Sequence, residues 1–398
     1  MIYNNFKDMK LSSLGVGTMR LPTTKPDGFI DEEKAIELIR KAYEQGVNYF
    51  DTAYFYHTGN SERVVGKALS KYPRDTWYLA DKMPGNVISM KGGKIHLELK
   101  DMDMEDASYN SLNDIFEHQL ERCGVDYFDF YMLHNLAQST YDTYVDEEIG
   151  IAEYLLEVKR QGRIRHLGFS CHSSPETLEK FLAYRNCYDF AMIQLNYLDW
   201  TLQEAGKKYD ILTSNGLPVF VMEPVRGGKL TRLGQDAAGL LKAVRPNDTP
   251  ASWAFRFLQS LPNVTVTLSG MTTMEQLEEN LALFDKRDPL TDHEKDVLLQ
   301  VADMLSDFIP CTACRYCCGV CPQGLDIPLL LTTYSEAFYD KSISSRLSWV
   351  VSDTLDTLPD GKGPMACIGC GACTPLCPQN IHIPETIAKF VSLLDHKK

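Results

Sequence analysis

FDFYMLH, residues 128–134, is a short apolar and aromatic run ending on a histidine, the composition of a buried β-strand. Three similar runs precede it, LGVGTM (14–19), YFDTA (49–53) and WYLADK (77–82). Four follow: IRHLGFS (164–170), FAMIQLN (190–196), PVFVME (218–223) and VTVTLSG (264–270). Segments of helical periodicity separate them, so the chain reads as repeated βα units. Eight such strands predict an α/β fold, a closed (β/α)8 TIM barrel, over residues 1–290. Residues 31–45 read as a helix with an acidic start and Gly46 as its stop, and residues 249–261 as another with Pro250 near its start. The stretch 84–106 has paired glycines, charges and weak periodicity, and reads as a loop insertion on the C-terminal face. GVG at 15–17 lacks a third glycine and a helix opening after it, so it signals a turn and not a dinucleotide fingerprint.

The bulk numbers fit this reading. The 398 residues are 44% hydrophobic and 24% charged, enough to build a sizeable core. A net charge of −14 argues against nucleic-acid or anionic-membrane surfaces, which attract basic patches. No apolar run approaches the ~18 residues that would suggest a membrane span, and the N-terminus lacks a signal-peptide core, so a cytoplasmic protein without membrane insertion is expected.

After Phe284 the polar connector DKRDPLTDHEKD leads into a helix expected at about 291–307, and a second domain is expected over 291–398. Nine of the twelve cysteines lie there, eight of them at matching positions of CTACRYCCGVCP (311–322) and CIGCGACTPLCP (367–378). Both fit CxxCxxCxxxCP, the spacing that wraps three thiolates around a cubane and sends the fourth to the other cluster. Two [4Fe–4S] clusters are therefore expected. The first takes Cys311, Cys314, Cys317 and Cys377; the second takes Cys367, Cys370, Cys373 and Cys321. Zinc knuckles are the competing reading, disfavoured by two matching runs each ending in Cys-Pro. Cys318, Cys123, Cys171 and Cys187 read as small buried hydrophobes. The apolar stretches between the runs make this a mostly helical, ferredoxin-type module.

Catalytic groups of such barrels sit where strands hand over to loops at the C-terminal face. Asp51, Tyr56, Lys82 and His134 occupy such places. Each type alone at a strand end is more often structural. Together they form a device in which an ammonium beside a phenol favours its ionised form, with Asp51 holding Lys82 in place.

DTAYFYHTGNSE (51–62), LADKMP (79–84) and YMLHN (131–135) resemble the aldo/keto reductase family over roughly residues 1–300. The resemblance implies a catalytic tetrad of Asp51, Tyr56, Lys82 and His134, with Tyr56 as general acid for a carbonyl oxygen. It also implies NAD(P)H bound across the barrel mouth, a small carbonyl or alcohol substrate, and cofactor contacts from Thr18, Met19, Ser170 and Gln194. Glu223, Arg226 and Gly227 of EPVRGG (223–228) belong to the same set. LSGMTTMEQLEEN (268–280), with Gly270, Gln276, Glu279 and Asn280, matches the segment that grips the adenosine phosphate. Cys171 stands where many relatives have Asn, and Gly270, Met271 and Gln276 replace the usual basic and hydroxyl residues, so NADPH and NADH both stay open.

The tail resembles ferredoxin-type dicluster modules, which implies clusters that relay electrons, with a redox partner protein in prospect. Hydride carries two electrons and a cluster one, so a flavin at the barrel mouth stays an alternative. An ordinary reductase with structural or sensory clusters, and a non-catalytic electron carrier, are the others. Met19, Arg20, Tyr54 and Asn86 sit in loops that set the substrate without naming it.

Overall fold

The computed structural model describes residues 1–24, 29–99, 104–137, 140–305, 309–343, 354–355 and 358–395. It divides into two compact units, one running to Met304 and the other starting at Leu305. An antiparallel hairpin comes first, β1 (Tyr3–Phe6) and β2 (Met9–Ser12). The barrel strands then begin with β3 (Leu14–Gly17), β4 (Tyr49–Asp51) and β5 (Tyr78–Met83). Three short strands intervene, β6 (Ile88–Lys91), β7 (Lys94–Leu97) and β8 (Ala107–Tyr109). The barrel resumes with β9 (Phe128–Leu136), β10 (Ile164–Cys171), β11 (Phe190–Gln194), β12 (Val219–Met222) and β13 (Val264–Ser269). Neighbours in the barrel pair in parallel, and β13 closes onto β3. All eight expected strands are these eight.

Inside the barrel, alternate residues of successive strands meet. Tyr49, Ala80, Phe130, Met132, Phe190, Met192, Phe220, Val266 and Leu268 form one apolar cluster, joined by Phe6 and Leu11 of the hairpin. Gly15 belongs to this packing. A Cβ there would meet Leu268 at 2.8 Å, Val266 at 2.9 Å and Tyr49 at 3.0 Å, so the glycine of GVG makes room for neighbours in the core.

The helices start where their caps say. Asp31 accepts from the Lys34 amide ahead of Glu32–Glu44, and Thr249 caps Pro250–Gln259 with proline in the first turn. The stretch expected as a loop at 84–106 instead contains the hairpin β6–β7, which β8, just beyond it, extends to a three-stranded antiparallel sheet. Its signal was the two-residue turn Gly92-Gly93, both at positive φ, which joins β6 to β7 as a tight hairpin. Residues 100–103 of that stretch lie outside the described residues.

The helix Asp292–Met304 goes with the barrel unit and not, as the expected boundary at 290 had it, with the cysteine module. The reason is a charged clasp. Glu294 is buried against Arg245 and against Arg256, whose nitrogen lies 3.1 Å away, and it caps its own helix through the Thr291 amide at 2.7 Å.

The second unit is an internal duplication longer than its cysteine runs. CPQGLDIP (321–328) and CPQNIHIP (377–384) extend the repeat. Left-handed residues recur at matching places: Ala313 with Gly369, Arg315 with Gly371, and Gly324 with Asn380. Each repeat then runs into a helix, Ile327–Ile343 or Ile383–Asp395. Leu325, Ile327, Ile381 and Ile383 bury themselves around the cysteines. Among the described residues no helix is long and apolar enough to cross a membrane.

Candidate active site

β4 ends on Asp51 and its neighbour β5 carries Lys82, so two parallel strands bring the residues together at the C-terminal face. Lys82 Nζ donates to Asp51 Oδ1 at 2.6 Å and to the Thr52 carbonyl at 2.6 Å. Both side chains are buried, 3% and 1% exposed. Burial raises the Asp51 carboxyl, and the Lys82 ammonium pulls it back. A buried pair of this kind contributes little net stability, but its geometry is tightly held.

Tyr56 hangs in the turn after β4, which passes through three consecutive left-handed residues, His57, Thr58 and Gly59. The Arg122 guanidinium braces this turn, donating to the Tyr54 carbonyl at 2.7 Å and to the Gly59 carbonyl. Lys82 Nζ lies 4.8 Å from the Tyr56 ring centroid, and the His134 ring stands edge-on to it at 5.9 Å. Phe55 stacks on His134 at 4.9 Å. The four residues expected to act together are therefore neighbours.

The phenol does not behave as expected. Burial, followed by the carboxylates of Asp51, Glu223 and Asp81, pushes Tyr56 well above the usual tyrosine range. The Lys82 ammonium beside the ring is itself matched by Asp51 at 2.6 Å. His134 is held neutral: burial, then the charges of Lys82 and His172, drive it well below the ordinary histidine value. Asp51 Oδ2 and His134 Nδ1 are buried and find no partner among the described residues.

Beneath Lys82 lies a network the sequence did not announce. Glu62 pairs with Arg122 at 2.6 Å and accepts from Gln119 at 3.0 Å, while Asp81 accepts from the Lys82 amide at 2.8 Å. Burial raises both carboxyls, Asp81 to about 6. Burial and the neighbouring Asp81 both disfavour ionisation of Glu62, and the Arg122 guanidinium partly offsets them. Only the juxtaposition of Asp81 and Lys82 along β5 hinted at this cluster.

The expected cofactor contacts divide into two groups. Ser170, Gln194 and Asn280 are buried near strand ends, and each is also tied to the scaffold. Ser170 Oγ accepts from the Asn135 amide at 2.8 Å, Gln194 donates to Asp199 at 2.8 Å, and Asn280 donates to Ser269 at 2.9 Å. The Thr18 hydroxyl is committed to the Asp51 carbonyl at 2.8 Å and to Ser61, and the backbone of Thr18 and Met19 is engaged by the His57 ring, with Ser61 Oγ also reaching the Thr18 carbonyl at 3.5 Å.

Arg226 departs from expectation. It is fully buried and paired with Asp199 at 3.0 Å, because a buried cation requires a carboxylate. Asp199 was missed; its signal is the N-x-x-D of 196–199, in which Asn196 Oδ1 accepts the amides of Leu198 and Asp199. Glu223, Arg226, Gly227 and Gly228 all have positive φ, which turns the chain sharply after β12.

At the other side of the mouth, Thr273 and Gln276 form a capping box on the helix Met274–Leu283. The Gln276 side chain is thus engaged by its own helix, and exposed Glu279 accepts from Thr249 at 2.5 Å. Gly270 leaves space for Arg20, whose Cβ would stand 3.1 Å from any Cβ there. Orphaned polar atoms around the tetrad and a capped helix start at the rim fit a nicotinamide nucleotide.

In the second unit Cys317 lies against Cys318, which the spacing leaves out of both expected ligand sets. Cys317 has Cys314 and Cys311 among its electrostatic neighbours, and Cys377 has Cys311. Cys373 has Cys367, Cys321 and Cys370. The latter four line a small apolar pocket walled by Ile327, Ile383 and Ile387. Among the described residues, no three His, Cys, Asp or Glu side chains crowd as closely as the ligands of one metal ion do. Cubane corners are farther apart than the ligands of one zinc. The Ala313 amide donates to Cys311 Sγ at 3.4 Å. These donors fit two cubanes.

A model of the aldo/keto reductase family matches residues 13–301, across the barrel that carries the four residues. The chain belongs to the aldo/keto reductase family. It is an oxidoreductase, and a 4Fe-4S dicluster domain matches residues 310–382. The NADH-specific methylglyoxal reductase of Escherichia coli is 25% identical over 326 residues, covering 75% of this chain and 97% of that protein. L-galactose dehydrogenase of Arabidopsis thaliana is 23% identical over 291 residues, covering 69% of this chain and 84% of that protein. Among solved structures, the aldo-keto reductase AKR11C1 from Bacillus halodurans in its holo form aligns with a TM-score of 0.59 and 28% identity. It covers 76% of this chain and 96% of that one.

Proposed function

We propose that the barrel interconverts a small carbonyl compound and its alcohol with a nicotinamide nucleotide, and that the reaction is coupled to two [4Fe–4S] clusters in the C-terminal unit. The observation that carries this is the buried Asp51–Lys82 pair beside the Tyr56 ring, with neutral His134 at its edge. A bound nicotinamide supplies or takes up hydride. Tyr56 is held protonated by its raised pKa and gives its proton to the carbonyl oxygen. Lys82, anchored by Asp51, stabilises the phenolate left behind. His134, uncharged, orients the carbonyl by hydrogen bonding.

The Thr18–Met19 segment, the side chains of Ser170 and Gln194, the turn at Glu223–Gly227, and the Gly270–Gln276 segment with Glu279 and Asn280 would hold the nucleotide. The Arg226 side chain supports the turn from within. The eight cysteines would hold clusters that supply one-electron steps. Two-electron hydride chemistry then needs a flavin or a redox partner protein to split the pair.

Tyr56→Phe tests the first half: carbonyl reduction should fall by about 10²–10⁴-fold, and an unchanged rate refutes the role. Anaerobic titration of the cluster-loaded protein with NADPH and NADH tests the second. Bleaching of the cluster absorbance supports coupling, and its absence despite demonstrated nucleotide binding points to an ordinary reductase with structural clusters.

A further inference from the structure

The turn that carries Tyr56 has an unfavourable backbone. His57 and Thr58 hold φ of 51° and 53°, and Gly59 follows in the same left-handed region. Residues other than glycine persist there only where the surroundings fix them. Arg122 supplies such a constraint on either side of Tyr56. Its guanidinium donates to the Tyr54 carbonyl at 2.7 Å and to the Gly59 carbonyl, and lies over the Tyr54 ring at 4.7 Å. Its Nε pairs at 2.6 Å with buried Glu62, in the helix Ser61–Leu69 that follows the turn.

Arg122 belongs to the helix Leu112–Cys123, and Gln119 lies one turn before it on the same face. Gln119 is fully buried, and both ends of its amide are used. Nε2 donates to Glu62 at 3.0 Å and to the Lys82 carbonyl at 3.1 Å, and Oε1 accepts from the Tyr131 hydroxyl. Turning the amide over would set its oxygen against two acceptors, so the network fixes its orientation. A glycine lets the two helices come this close, since a Cβ on Gly66 would run into the Cys123 carbonyl. One helix face thus grips the Lys82 backbone through Gln119 and the Tyr56 turn through Arg122. A buried ion pair is a weak source of net stability. What this one fixes is where two backbone segments stand relative to each other.

We propose that Gln119 and Arg122 are positioning residues for the proton transfer: they hold the Tyr56 turn at a set distance from Lys82, so that the phenol meets the carbonyl oxygen with the ammonium beside it. Both act through Tyr56 and Lys82 and not on the substrate. This rests on the reading of the barrel as a carbonyl reductase with Tyr56 as its acid. Gln119 secures the strand side of the spacing and Arg122 the turn side, so loss of either loosens it.

The test follows single-turnover reduction of methylglyoxal and of propanal by the cluster-loaded protein with NADH and with NADPH, by product analysis of quenched samples. Arg122→Lys keeps a cation for Glu62 but lacks the planar fork that reaches two carbonyls. Gln119→Met keeps the length of the side chain and removes both donors. Each should slow the single turnover about 10²-fold, the cost of a misplaced reacting group, while the nucleotide Kd stays unchanged. Neither should slow a Tyr56→Phe background further, because effects that run through one group do not add. Thermal melts confirm folding, and either variant alone carries the test if the other does not fold. Equal slowing with and without the Tyr56 hydroxyl overturns the proposal, and so does an unchanged rate in a folded variant. An unchanged rate in Tyr56→Phe alone, or no reduction of either compound by the wild type, instead overturns the reading beneath it.

Discussion

Lys82 makes two contacts that compete for its charge, the Asp51 carboxylate and the Tyr56 ring, and the closer one dominates its electrostatics. Asp51→Asn would leave a buried ammonium without its partner. We expect a loss of about 3–5 kcal/mol of stability, together with lost activity, read by urea unfolding and initial rates. The buried imidazoles set a pH limit. Burial drives His166 to about 4 and His172 to about 3, below the unfolded value near 6.5. The unfolded chain therefore binds these protons first as pH falls, and stability is lost between pH 6.5 and the depressed values. Glu294 adds to this at lower pH. Burial opposes ionisation, but the Thr291 amide, Arg245 and Arg256 hold the carboxyl at about 2, so its contribution is lost as pH falls from about 4.5. The melting temperature should drop from pH 7 to pH 5, and a flat profile would contradict the buried neutral histidines. At this scale the tetrad was legible in the sequence, as residue types at strand ends. The upward shift of Tyr56 was not, because it depends on burial first and then on the carboxylates of Asp51, Glu223 and Asp81 that the fold gathers around it.

Among the elements, the helix Asp292–Met304 shows how one carboxylate can decide a boundary. Glu294 meets Arg245 and Arg256 on the barrel side, and Arg256 keeps Asp288 at 3.1 Å as a second partner. Glu294→Ala should therefore cost about 2–3 kcal/mol in denaturant unfolding of the barrel. A chain ending at Met304 should melt as a folded barrel well above one ending at residue 290. Strand positions and helix caps were legible because they depend on local periodicity and capping chemistry, as Asp31 and Thr249 show. The hairpin β6–β7 was read as a loop although Gly92-Gly93 marked its turn, since its strands are short, partly exposed and weakly patterned.

For the whole molecule, the crossed ligation proposed for the duplicated second unit can be tested by single substitutions. Cys321→Ser and Cys373→Ser should remove the same cluster, and Cys311→Ser and Cys377→Ser the other, each leaving about half the iron by metal analysis and Mössbauer spectroscopy. If Cys321→Ser and Cys311→Ser leave identical spectra, each run holds its own cluster and the crossing is wrong. Sequence by itself determined the eight strands, the tetrad and the two cysteine runs, because strand period, strand-end position and ligand spacing are all local along the chain. Only the tertiary structure decided that Arg226 is locked onto Asp199 and that the helix Asp292–Met304 joins the barrel. Pairing and burial are relations between residues far apart in the chain, and they exist only once the barrel has closed.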